Sequence, residues 1–393
     1  MKIGYFTHSN IAISETFMYD LIKGLEGKSE LTWYSGELFI KHKIVEQQIA
    51  TGYSPNLSRL PSYAFKIGQL KGNLGYKLKM KISLFLSNNK LKKIKKNDLP
   101  DIAYVEYLTS AIWLRSFFEK NDIPYVVHVH GYDISSELRD PQYKIELKKV
   151  FSSVTFLIAA SNYIKRLLII EGCPGEKIVV IRLGIATDLI FPLSWEKRLM
   201  DNPSVIFLGR LTQKKNPIAL VHAFDIVRKK IPNVKFTIIG DGPLYKEVEN
   251  RINLLGLDEF VSLLGALPRE ESFPIMNRHW IYAQHSVTAI SGDKEGYAIS
   301  PAEAAAHELP VVSTLHNGIP EHVIEGKTGF LVPEFDYVSM AERIIDLIEN
   351  PALAEKMGKA GRKNIQFLND PKIRIDEIYN LLLKSFLQKK DSR

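Results

Sequence analysis

The chain has 393 residues, 45% of them apolar, which is ample for a buried core and too long for one ordinary domain, so two domains are expected. Its 52 basic and 44 acidic residues leave a net charge of +8, far below that of a chain that coats nucleic acid, and no nucleic-acid partner is expected. The single cysteine, Cys173, excludes an internal disulfide and a cysteine-built zinc site and points to a reducing cytoplasm.

The first apolar run, Ile3 to Thr7, is only a few residues long and reads as a strand rather than a signal peptide. Further strand-like runs follow at Leu31 to Tyr34, Ile102 to Tyr107, Tyr125 to Val129, Thr155 to Ala159 and Ile178 to Ile181, separated by longer helix-like segments. No apolar run approaches the roughly 20 residues needed to cross a bilayer. Residues 1–200 carry 28 basic and 19 acidic side chains, against 24 and 25 in the remainder, so the positive excess sits in the first half. Its address is Lys77 to Lys96, eight lysines and no acid interleaved with apolar residues. That segment reads either as an amphipathic basic helix on an anionic membrane surface or as a solvated helical face.

After residues 186–203, where Pro192 and Pro203 fall in a stretch of weak periodicity read as a linker, the pattern restarts. Strands are expected at Val205 to Leu208, Lys235 to Ile239, Phe260 to Leu264, Trp280 to Ala283, Val311 to Ser313 and Phe330 to Val332. Strand and helix in alternation imply two α/β units in series, each with a parallel sheet covered on both faces. A ligand at the carboxyl ends of both sheets would sit in the crevice between them.

Three segments carry chemistry. Ser300-Pro301-Ala302-Glu303 reads as an N-cap, a first-position proline and a third-position acid, so a helix should start at Ser300. The loop before it, Gly292 to Ala298, and the helix's positive end can converge on an anion. Glu295 and Glu303 would flank that anion and suit sugar hydroxyls. On the residues alone Glu303 also reads as a capping-box acid and Glu295 as a solvated loop acid. Arg210 and Lys215, after the first strand of the second unit, would neutralise a diphosphate. Gly240-Asp241-Gly242-Pro243 reads as a tight turn between strand and helix.

The order Gly209-Arg210, Lys214-Lys215, GDGP, EGYAISPAE (295–303), PVVST (310–314) and GIPEHVIEGKTGFLVPEFD (318–336) resembles the C-terminal domain of the retaining glycosyltransferases of family GT4. The stretch from His285 through HNGIPE is most similar to bacterial exopolysaccharide glycosyltransferases of the colanic-acid type. In the first half SETF (14–17), PDIAYVEY (100–107), HVHGYDIS (128–135) and residues 161–183 resemble the same group.

That resemblance implies the α/β GT-B fold: a Rossmann-like acceptor domain over 1–185, the linker, a nucleotide-sugar domain over 204–370, a ligand cleft between the two domains, and a C-terminal helix over 371–393 packing back toward the first domain. It implies transfer of a sugar, with retention and without a metal, from a UDP- or GDP-sugar to a glycan or polyprenyl-diphosphate-linked acceptor. No tightly bound cofactor is expected, and the place would be the cytoplasm, peripheral at the inner face of the membrane. Residue by residue, Arg210 and Lys215 match the cations on the donor diphosphate, Glu303 the ribose-binding acid, and Glu295 the acid on the transferred sugar. Gly296, Tyr297, Ala298, Ile299 and Ser300 match the loop amides near that sugar, Gly240 and Gly265 further donor-binding turns, and His130 the histidine that reaches the sugar from the first domain. Three departures stand out: Ala298 replaces a glycine, Asn216 stands where glycine is common after the lysine, and SNIAISET (9–16) lacks the family's glycine-rich loop, leaving the hydroxyls of Ser14 and Thr16 as substitutes. An epimerase, a phosphorylase or a non-catalytic nucleotide-sugar-binding partner of a membrane assembly are the alternatives.

Overall fold

The computed structural model describes residues 1–7, 16–35, 47–51, 91–92 and 94–391. Ser14, the side chain of Thr16 and, within the basic segment, residues 77–90 and 93 lie outside the described residues. The chain forms two compact units, one of Met1–Ala160, Lys165–Ile181 and Lys372–Arg393, the other of Ser161–Ile164 and Arg182–Pro371.

In the first unit the described strands are β1 (Lys2–Phe6), β2 (Glu30–Ser35), β3 (Gln47–Ala50), β4 (Ile102–Glu106), β5 (Tyr125–Val129), β6 (Phe156–Ala159) and β7 (Ile178–Val180). They pair in parallel in the order β3-β2-β1-β4-β5-β6-β7. Every residue of β4 and β5 is buried, as expected of a parallel strand covered on both faces. β3 is the strand the sequence did not announce: its QQIA has no apolar alternation, and it is held at the sheet edge by its pairing with β2, Thr32 opposite Gln47.

The helix Pro371–Asp391 belongs to this unit. Its buried Arg374 donates to the Phe17 carbonyl at 3.0 Å. Gly24, in the helix Thr16–Glu26, makes room for it, because a Cβ there would sit 2.4 Å from Ile375 Cδ1.

In the second unit the strands are β8 (Ser204–Leu208), β9 (Lys235–Ile239), β10 (Val261–Leu263), β11 (Ile281–Gln284), β12 (Val311–Thr314) and β13 (Gly329–Val332). Their order, β10-β9-β8-β11-β12-β13, again runs outward in both directions from the first strand. One face is covered by the helices Pro217–Lys230 and Tyr337–Glu349, through Leu220, Val221, Phe224, Met340 and Ile344. The other is covered by Ile299–Ala306 and Pro351–Leu368, where small side chains let the two helices lie close. Ala302, Ala304, Ala305 and Ala306 are all buried, and a Cβ on Gly358 would meet the Glu308 carbonyl at 2.0 Å. The strand order reverses between β8 and β11, and that switch point opens at their carboxyl ends.

Candidate functional site

β8 ends at Leu208 and runs through Gly209 and Arg210 into a 3-10 turn, Gln213–Lys215, before the helix Pro217–Lys230 starts at a proline. The loop is braced from its neighbour: Leu211 N–H donates to the Asp241 carbonyl at 2.9 Å, and a Cβ on Gly240 would lie 1.9 Å from the Gly209 carbonyl. Glycine at 240 is therefore a packing requirement. Its N–H is already given to the Gly265 carbonyl at 2.7 Å, so at this turn, expected to bind donor, the Gly240 amide is engaged within the fold. The brace delivers three cations to one turn: Arg210 exposed, Lys214 and Lys215 partly buried.

β11 leads into the loop that carries Glu295. This carboxylate is 6% exposed, and Lys215 Nζ lies 3.1 Å from its Oε1. Lys215 also donates to Gln284 Oε1 at 3.2 Å, and Lys214 pairs with Asp293 at 3.2 Å. Burial by itself would raise the Glu295 pKa, but Lys215 and Lys214 outweigh it and hold the group below its ordinary range. The two loops after β8 and β11 are thus clamped together by ion pairs at the switch point.

The helix that follows starts at Ile299, with Ala298 as its N-cap and no side-chain cap. Ser300 is therefore not the cap its sequence suggests. Its hydroxyl is taken into the sheet, accepting from Tyr282 at 2.8 Å and donating to Gln284 Oε1 at 3.2 Å. Nor is Glu303 a capping-box acid. Its carboxylate meets Arg269 NH2 at 3.1 Å, and burial, outweighing Arg269, raises its pKa. Arg269, at the start of the helix Arg269–Arg278 and stacked on Phe273 at 4.7 Å, was not picked out from the sequence.

Of the loop residues expected near a donor, Gly296 has its carbonyl fixed by the Ser161 hydroxyl at 2.8 Å. Tyr297 turns its side chain into the core, donating to Asn369 Oδ1 at 2.9 Å, which leaves only its main chain for a ligand. Ala298 is buried. Gly265 adopts φ 70°, with open space where a Cβ would be. Two groups invisible to local pattern support the loop. His316, after β12, faces the Glu295 main chain, and Glu334, after β13, faces His316.

His130 belongs to the first unit. Its Nε2 is 2.5 Å from Glu106 Oε2, and the Tyr5 hydroxyl donates to Glu106 Oε1. Beside them, the Tyr104 hydroxyl lies 2.6 Å from His128 Nδ1. Burial pushes His128 well below its ordinary range and Tyr104 well above, so the phenol keeps its proton and donates it to a neutral imidazole. Phe17 and Tyr107 flank the His130 ring, their centroids 5.3 and 4.6 Å away. Glu106, His128 and His130 offer ligand atoms within 4.8 Å of one another, a His and carboxylate cluster that sequence spacing did not show because it joins two strands. Tyr5 and His130 take up Glu106 and Tyr104 takes up His128 Nδ1, so the cluster reads as a hydrogen-bonded network in which the buried His128 Nε2 alone lacks a partner among the described residues.

Residues 45–189 match the family model of glycosyltransferase family 4, and residues 194–364 that of the glycosyl transferases group 1. The amylovoran biosynthesis glycosyltransferase AmsK of Erwinia amylovora is 32% identical over 237 residues, 60% of this chain and 58% of that protein. The putative colanic acid biosynthesis glycosyltransferase WcaL of Escherichia coli is 31% identical over 265 residues, 66% of this chain and 63% of its own length. The matched chain thus spans about three fifths of these curated relatives. Among solved structures, Anabaena HepE in complex with UDP and glucose superposes with a TM-score of 0.76 at 19% identity, covering 98% of this chain and 100% of that one. Sucrose-phosphate synthase from Thermosynechococcus elongatus does so with a TM-score of 0.79 at 17% identity, over 98% and 100%. At such identities the likeness is one of fold.

Proposed function

We propose that this chain, which belongs to the family 4 (group 1) glycosyltransferases and has the GT-B fold, transfers a sugar from a nucleotide-diphosphate donor to a hydroxyl of a surface-polysaccharide intermediate. The observation that carries the reading is the Lys215–Glu295 pair beside Arg210 at the β8/β11 switch point. Open α/β sheets bind ligands at that place.

The burden in such a reaction is charge on the departing diphosphate. Lys214 pairs with Asp293 and Lys215 with Glu295, and the exposed Arg210 adds a third positive charge for phosphate oxygens. The N-terminus of the helix Ile299–Ala306 adds its dipole. Fixed donors of this kind in a water-poor site are worth several kcal/mol in the transition state. With protein cations carrying that charge, a divalent metal is not required. Glu295, ionised and tied to Lys215, accepts from hydroxyls of the transferred sugar. Glu303, ion-paired with Arg269, accepts from the donor ribose. One carboxylate at the ribose and one at the sugar are unlike the pair that flanks a glycosidic bond in hydrolases. We read the outcome as retention, with His130 serving the sugar from the first unit.

The relatives support a polysaccharide acceptor: AmsK is named for amylovoran and WcaL for colanic acid. The donor nucleotide is UDP or GDP. HepE was solved with UDP, whereas a further relative, from Mycolicibacterium smegmatis, is named a GDP-mannose-dependent mannosyltransferase. The acceptor we propose is lipid-linked and met at the inner face of the membrane, with the lysines of residues 77–96 drawn to anionic lipid. No described helix is long and apolar enough to cross a membrane.

The test is a panel of UDP- and GDP-sugars, read by thermal shift and by release of nucleoside diphosphate. One donor should raise the melting temperature and be turned over, and Glu295→Gln and Lys215→Ala should turn it over far more slowly. No shift with any donor, and variants that behave like wild type, would sink the reading. NMR of the anomeric configuration of the product tests retention, and turnover in excess EDTA tests the absence of a metal. Flotation with anionic liposomes tests the lysines: neutralising them should abolish binding.

A further inference from the structure

We propose that His316 is a positioning residue for the donor-sugar loop: as a neutral imidazole with its proton on Nδ1, it holds the main chain at Glu295. The inference rests on reading that loop as the sugar site. It goes further by assigning a role to two residues, His316 and Glu334, that meet no ligand.

The hydrogen bonds around His316 allow one assignment. Its side chain has no exposed surface, and Nδ1 lies 2.6 Å from Glu334 Oε1. The other oxygen of that carboxylate accepts the Thr288 N–H at 2.8 Å. Burial opposes the charge on Glu334, but these two donors outweigh it and hold its pKa below the ordinary range. An acceptor-only carboxylate requires the proton on Nδ1. The far side of the ring agrees, since Nε2 lies 3.2 Å from the Glu295 amide nitrogen and 2.6 Å from Asn317 Nδ2, both donors. A second ring proton would put three donors face to face.

Glu334 and His316 thus form a brace across the loop. Glu334 holds its beginning at Thr288, and His316 holds its end at Glu295, whose side chain is already fixed by Lys215. Residues 288–295 cannot drift from the cations after β8 while both ends are held.

The arrangement works only while His316 is neutral. Burial lowers its pKa, with Lys294 acting the same way, while Glu334 and Glu295 pull upward. These groups come from the loops after β11 and β13, which pack on the loop after β12. Acid should therefore release the Glu295 main chain without touching a group that meets donor.

The experiment has an arm that needs no turnover. In the full chain labelled with 15N-histidine, with the His316 signals assigned by loss in His316→Gln, the ring should show the Nδ1–H tautomer at pH 7.5. A ring protonated on Nε2 would overturn the proposal, even for a protein that turns over no donor. A panel without any turnover would instead sink the reading of function.

The kinetic arm uses UDP-glucose and GDP-mannose as probes. His316→Gln keeps an acceptor for the Glu295 amide and cannot titrate, so its kcat should stay within about threefold of wild type and persist at acidic pH where wild type falls. His316→Leu, unable to accept, should lose about 10- to 100-fold in kcat, since small misplacements are that expensive. Its KM should move less. Wild-type kcat in His316→Leu, or the same acid limb in wild type and His316→Gln, would overturn the assignment.

Discussion

Lys215 Nζ and Glu295 Oε1 lie 3.1 Å apart, and their side chains are only 11% and 8% exposed. A buried pair of this kind contributes little net stability, but losing one partner strands the other charge. Lys215→Ala should therefore destabilise the chain by about 3 kcal/mol, the low end of the 3–5 kcal/mol range, because Lys214 still faces Glu295. Lys215→Ala with Glu295→Gln should recover much of it. Urea melts of the two single variants and the double decide the point: strict additivity would mean that the pair is not coupled.

The second pair, Arg269 with Glu303, predicts a different kinetic signature. A group on the ribose binds ground state and transition state alike, so Glu303→Gln and Arg269→Ala should each raise the donor KM roughly tenfold and leave kcat nearly intact. Glu295→Gln should do the reverse, lowering kcat with little change in KM. Steady-state kinetics with the preferred donor separates the two. If Glu303→Gln lowered kcat alone, its assignment to the ribose would be wrong.

Gly318 presses on the loop that carries Glu295 and Gly296. A Cβ there would lie 2.1 Å from the Gly296 carbonyl, a main-chain atom that cannot swing aside like a side chain. Gly318→Ala should shift that carbonyl off the Ser161 hydroxyl and lower kcat by about tenfold or more. Gly175→Ala, where the nearest atom is 4.0 Å away, should change stability by less than about 0.5 kcal/mol. Equal effects at the two sites would show that the Gly296 carbonyl is not held as described.

The second unit should be acid-sensitive well above the carboxylate range. Burial pushes His279 and His285 down to about 4 and His307 and His322 down to about 3. His279 is neutral by design, meeting the Ile275 carbonyl and the Thr237 hydroxyl at 2.8 Å each. Unfolded, each would take a proton near 6.5. Their stabilising effect is whole above that value and is lost as pH falls toward 4, at about 1.4 kcal/mol per pH unit for each histidine. The raised Glu303 works the other way, one group against these four and against His222 and His316, which are lowered as well. Chemical denaturation at pH 7.5 and 5.0 should show a loss of several kcal/mol; equal stability at both would contradict the burial of these rings.

What could be read in advance follows a physical division. Buried parallel strands are continuous apolar runs, and most of those described were visible as such. β3 was not, because an edge strand of glutamines is made by its neighbour rather than by its own pattern. Glu295, Glu303 and Lys215 stood out because each is an acid or base beside a helix start or strand end. Their partners did not. Arg269 comes from 34 residues before Glu303, and His316 from 21 residues beyond Glu295, and only the folded sheet brings such groups to one end. Ser300 misled for a related reason: Tyr282 and Gln284, on a strand, outcompete the helix for its hydroxyl.

The helix Pro371–Asp391 has a consequence for how the molecule is made. It supplies Arg374 and Ile375 to the unit whose first strand is residues 2–6, yet the whole second unit lies between them in the chain. On the ribosome, the half synthesised first must wait for its final piece until the half synthesised later has emerged. Until then Phe17 and Gly24 lack the cover that Arg374 and Ile375 give them, and apolar surface left open during synthesis is the kind that chaperones hold.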